Sequence, residues 1–121
     1  MPMMTISPSM PAIAKGQILE ALLCASFGLH SGGKAVLDFA KALFGNVTVS
    51  NAAEDRKEDE KLAGMANGAW GEDGAHCALA RAYCLLVEHG EDGNADCLKT
   101  IALGRFLKKD FEAKVKVVQD W

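Results

Sequence analysis

The chain is poor in the residues that build strands. It holds one tyrosine and two tryptophans, and threonine is scarce, whereas alanine is common. β-Branched and aromatic residues favour sheets and alanine favours helices, so the composition points to an all-α fold. Long uncharged apolar runs are also missing. The apolar stretch after Lys15 is interrupted by Glu20, and no run reaches the roughly 18 residues of a membrane span. A secretory signal would need a basic region ahead of its apolar part, and Lys15 comes too late to serve. A cytoplasmic protein without a membrane contact is the expectation. The prolines, Pro2, Pro8 and Pro11, sit at the start, and residues 1–10 read as an irregular arm.

Paired cysteine spacing is absent too. Cys24, Cys77, Cys84 and Cys97 include no C-x-x-C. On one helix Cys77 and Cys84 would stand about 10.5 Å apart along the axis, too far for a disulfide. Each lies in an apolar helical context, where free cysteine behaves as a small hydrophobe, so reduced core thiols are expected. With His76 and His89 they lack zinc-ligand spacing, and no metal or cofactor is expected. No nucleophile elbow or Ser/His/Asp arrangement appears either, which points away from an enzyme.

What is present is a chain of 121 residues, half of them hydrophobic and 24% charged, with a formal net charge of −3. That fits one globular domain over 11–121. An acidic balance speaks against a nucleic-acid partner, because phosphate binders are usually basic. The segment Ala75–Glu88 is apolar on nearly every side, with His76, Arg81 and Glu88 as its strongly polar members. A helix of that kind must be surrounded by others. The expected fold is a single-domain bundle of about five helices around it, and His89-Gly90 should end it through a C′ glycine.

The first helix is predicted over Pro11–Phe27, capped by Ser9, with Gly28 ending it. The second runs over Lys34–Phe44. Val36, Phe39, Ala40, Leu43 and Phe44 form its apolar face and Lys34, Asp38 and Lys41 the opposite one. Val47-Thr48-Val49 reads as a short β-like connector. The third helix should start at Asn51, capped by Ser50 or Asn51 with Glu54 in the capping-box position, and carry the charge run Glu54–Lys61. Glu54–Lys57 and Glu58–Lys61 can pair at i, i+3. Only Leu62, Met65 and Ala66 suggest themselves as its anchors. The last region, Asn94–Val118, changes its apolar stripe near Gly104, from Leu98, Ile101 and Ala102 to Leu103, Leu107, Phe111 and Val118. A break is expected there. Ala113–Val117 alternates in a way that also suits a short strand.

Three motifs fail on inspection. Gly28–Ala35 is one residue from a phosphate-binding loop, but Ala35 cannot supply the hydroxyl for Mg²⁺ and the preceding segment is helical. Asp92-x-Asn94-x-Asp96 opens like a calcium loop, yet Cys97 stands where glycine is needed and Leu103 where glutamate is needed. The tetrapeptide Gly-Glu-Asp-Gly occurs at 71–74 and again at 90–93, a hint of duplication without a repeat.

The functional expectation is a non-catalytic protein-binding module, such as a small inhibitor, immunity or adaptor protein or a phage-encoded antagonist. Glu58, Asp59 and Glu60 on the acidic helix would form its surface with Trp70, Glu72 and Asp73 in the glycine-rich stretch Asn67–Gly74. Tryptophan is enriched at binding hot spots, and an acidic rim steers a basic protein partner. Association between copies stays open. The alternative is a small helix-turn-helix-like DNA-binding regulator around Leu22–Leu43, reading with Ser31, Lys34, Asp38 and Lys41. Arg105, Lys108, Lys109, Lys114 and Lys116 make the C-terminal region locally basic, as a solvated face balancing the acidic helix.

Overall fold

The computed structural model describes residues 6–29, 33–67 and 72–120, with the backbone alone at 59–67, 72 and 73. Among the described residues the chain is all-helical. Its six helices are α1 (Ala12–Gly28), α2 (Gly33–Phe44), α3 (Asn46–Asn67), α4 (Glu72–Glu88), α5 (Asp92–Leu103) and α6 (Lys108–Gln119). The helix count exceeds the expected five because the last region divides completely at Gly104–Leu107. None of the described helices is long and apolar enough to cross a membrane.

The bundle is built on the pair α1 and α4. Helix α2 lies against α1, α3 lies chiefly against α2 and reaches α1, α5 and α6 lie against α4, and α2 also meets α5. Ser7 N–H, ahead of α1, donates to Glu91 Oε1 just past α4, at 2.8 Å. The start of α1 therefore stands beside the end of α4, and the two run antiparallel. Ile18, Leu22 and Leu23 of α1 face Leu79, Ala82 and Leu86 of α4 across a core that also takes Val36, Phe39, Leu98 and Phe111. Burying such side chains contributes about 1.5–3 kcal/mol each. Helix α4 is central as its composition requires, but α1 shares that position, and Val87 of α4 is exposed.

Helix ends follow their glycines. Gly90 has φ +76°. Its N–H donates to Val87 O at 3.1 Å and the Glu91 N–H to Leu86 O at 2.8 Å, the paired bonds of a Schellman motif at the predicted C′ glycine. Gly45, at φ +97°, alone joins α2 to α3. Both Glu-Asp-Gly triplets begin helices, Glu72–Gly74 in α4 and Glu91–Gly93 at α5. Acidic residues there complement the helix dipole, which explains the recurrence without duplication.

Four expectations are corrected. Ser9 does not cap α1: the cap position is Pro11, without a side-chain bond, and the Ser9 hydroxyl pairs with that of Ser7 at 2.8 Å. Val47–Val49 is not a connector but the first turn of α3, because Val49 is driven fully into the core. Tertiary burial overrides a local β preference. Ser50 and Asn51 are consequently inside the helix. Ala113–Val117 is helical, as the expected last helical region has it, and does not take the strand that its alternation also suited, since Phe111 and Val118 reach the core from one side of α6. Leu107 does not join their stripe; it is 64% exposed at the extended residue that precedes α6.

Candidate protein-binding surface

Among the described side chains, helix α3 meets the bundle along one stripe. Val49 is fully buried, Ala52 and Ala53 are half-buried, and Arg56 completes the series at i, i+3, i+4 and i+7. Arg56 crosses to α1. Its Nη1 donates to Glu20 Oε1 at 2.7 Å and its Nη2 to Cys24 Sγ at 2.9 Å. The guanidinium is an inward member of the charge run, with its alkyl stem over α1 and its head fixed by two partners. Nothing singles out Arg56 in the sequence, because it stands among charges. The signal is its spacing from Val49, visible only once the helix is begun at Asn46.

The neighbouring charges face outward. Glu54, Asp55, Lys57 and Glu58 are exposed. Glu54 and Lys57 form no ion pair with each other among the described residues. Glu54 and Glu58 lie at i, i+4, a repulsive arrangement. Of the predicted partner-binding residues, Glu58 is placed on this exposed face. Asp59 and Glu60 continue the helical backbone and Glu72 and Asp73 open α4, while the side chains of these four, and Trp70 altogether, lie outside the described residues. The structure therefore joins Glu58 to Glu54 and Asp55, two acidic neighbours not singled out from sequence.

Clefts flank α4 on two sides. One of about 680 Å³ lies between α4 and α6, lined by Tyr83, Cys84, Val87, Glu88, Val115 and Val118 among others. Burial pushes the Cys84 thiol above its usual value, Glu88 adds to the rise and Arg81 opposes it. The Cys84 S–H points to Val115 O at 3.9 Å. A second cleft, of about 400 Å³, lies between α1 and α4. Near the turn between α5 and α6, His76 is buried and stacks on Phe106 with centroids 4.0 Å apart and 6° between planes. Phe111 continues the cluster, with Tyr83 edge-on to it at 5.6 Å. His76 is thus part of the aromatic core that locks the turn onto α4.

The rejected motifs have structural explanations. A Cβ on Gly33 would stand 2.2 Å from Ser26 O, so glycine there allows α2 to start against α1. His30, Ser31 and Gly32 lie outside the described residues. Asn94 of the calcium-like segment donates to Glu91 Oε1 at 3.3 Å within the start of α5. Among the described residues no three His, Cys, Asp or Glu side chains gather as metal ligands. Lys34, one of the cations assigned to DNA reading, pairs with Asp38 at 3.0 Å. On α6, Lys108 approaches Glu112 at 3.9 Å. Comparison with protein-family models, with curated proteins and with solved structures gives no match.

Proposed function

We propose that this chain is a non-catalytic protein-binding module, an inhibitor, immunity or adaptor protein or phage-encoded antagonist acting in the cytoplasm. Its surface is the outer face of α3 together with Asp59, Glu60, Trp70, Glu72 and Asp73. The observation that carries the reading is the row Glu54, Asp55 and Glu58, exposed on a helix whose Arg56 is turned away to α1. Helix α3 therefore presents these carboxylates outward while its arginine serves the fold. A face of this kind steers a basic partner and sets its register. The DNA-binding alternative gains nothing from α2, where Asp38 sits against Lys34.

The test is affinity capture from a native lysate with wild-type protein and with the double variant Glu54→Lys, Glu58→Lys as baits. Both changes are on exposed positions, so the variant should fold normally. The reading expects a protein retained by wild type, released by raised salt, and lost from the variant. Identical capture by both baits, or recovery of nucleic acid instead, would overturn it.

A further inference from the structure

Helix α4 is apolar on nearly every side, and a helix of that composition is expected to be covered all round. Among the described residues its neighbours cover only part of it. Toward the cleft between α4 and α6, Cys84 and Leu85 are half-buried and Val87 is 44% exposed. Arg81, Cys84, Leu85 and Glu88 all line that cleft of about 680 Å³. They stand at i, i+3, i+4 and i+7, so they form one stripe of the helix, two turns long. The binding role proposed for α3 makes no use of this stripe.

The stripe has a charge at each end and none between. Arg81 opens it, Glu88 closes it, and Cys84 and Leu85 form its middle. Burial lifts the Cys84 thiol, and Glu88 and Arg81 act on it with opposite signs, as opposite charges on either side of it do. The two charges are about 10.5 Å apart along the axis, beyond the i, i+4 reach at which helix charges pair. Their midpoint falls between Cys84 and Leu85. A second α4 laid antiparallel across that point, on a two-fold axis, reverses the order of the charges. Each Arg81 then comes opposite the partner's Glu88, and each Leu85 opposite the partner's Cys84. The pattern is complementary to itself: residue i meets j and j meets i, as a two-fold interface requires. A parallel pairing would set like charges against each other.

We propose that this chain pairs with a second copy of itself through the stripe Arg81, Cys84, Leu85 and Glu88, by antiparallel packing of α4 about a two-fold axis between Cys84 and Leu85. The apolar middle supplies the contact, and the end charges fix direction and register. A two-turn stripe makes a small interface, so the pairing is reversible, with a dissociation constant of about 10⁻⁵ M. The acidic face of α3 belongs to another helix and stays available in the pair.

The test is analytical ultracentrifugation of the full, reduced chain, from well below to well above that concentration. Wild type should pass from monomer to dimer across the range. Arg81→Glu and Glu88→Arg each set like charges together at both ends of the stripe, and each should weaken pairing about tenfold or more. In an equimolar mixture of the two variants both contacts again join opposite charges, so dimer should return to near the wild-type level. Misfolding of either variant cannot produce that recovery. Glu88 is exposed, so Glu88→Arg alone carries the test where Arg81→Glu loses its helical circular dichroism. A wild type that stays monomeric over the range, a dimer undiminished in Glu88→Arg, or two folded variants that do not recover on mixing would overturn the pairing. The readouts need neither α3 nor a foreign protein, so they stand or fall apart from the binding reading.

Discussion

Two glycines of the first helical hairpin show how one atom decides the sign of a substitution. Gly33 opens α2 where a Cβ would lie 2.2 Å from the backbone oxygen of Ser26, and a backbone cannot rotate out of the way. Gly16 lies in α1, where an added methyl would meet nothing within 4 Å. Gly33→Ala is expected to destabilise by about 2 kcal/mol, through the shift forced on α2. Gly16→Ala is expected to stabilise by about 0.5–1 kcal/mol, because alanine loses less backbone entropy in a helix. Urea unfolding of the two variants checks both, and a stabilising Gly33→Ala would mean that α2 does not approach α1 so closely. The same logic explains why the phosphate-loop resemblance at Gly28–Lys34 misleads: the glycine it relies on is needed for helix packing.

At the scale of elements, the described side chains of α3 anchor it through Val49, Ala52, Ala53 and Arg56. Val49 is fully buried and Val47, two residues earlier, is 74% exposed. Val49→Ala should cost about 2 kcal/mol, by lost burial and the cavity left behind. Val47→Ala should stay within about 0.5 kcal/mol of wild type. Equal effects in thermal unfolding would contradict the helical first turn, since a strand-like connector need not bury these two valines so unequally. This turn also marks the limit of what is legible in the sequence. The long periodic stretches are legible: α2 with its inward Val36, Phe39 and Leu43, the apolar α4 closed by Gly90, and the break at Gly104. Each has either a full apolar stripe or a glycine whose geometry has one use. The start of α3 is not legible, because three β-favouring residues carry less weight than one side chain reaching the core, and that reach is a tertiary fact. Starting the helix five residues late hides the stripe from Val49 to Arg56. It also leaves the charge run without a visible inward face, so that Leu62, Met65 and Ala66 stand out as anchors in its place.

For the whole molecule the question is how an acidic helix and an aromatic residue could act as one surface. The bundle is rooted in α1 and α4, so α3 can give its outer face to a partner without exposing the core. On the proposed reading its carboxylates would act at a distance by steering, which is screened within roughly 8 Å at physiological salt. Affinity at close range needs a desolvated anchor, and tryptophan is the side chain best suited to that. Trp70 follows α3 in the chain between Gly68 and Gly71, outside any apolar stripe and outside the described residues. As a lid on the core it would bury its ring, and Trp70→Ala would cost about 3 kcal/mol or more of stability. As an exposed anchor it would leave the unfolding midpoint almost unchanged and weaken partner binding by about 2 kcal/mol or more. The anchor outcome is expected, because flanking glycines give the segment no packing of their own. Circular dichroism at 222 nm follows the helices without relying on tryptophan, so denaturation of Trp70→Ala by that signal separates the two. A large fall in midpoint would remove Trp70 from the binding surface and leave α3 to bind through charge alone, with an affinity that salt abolishes.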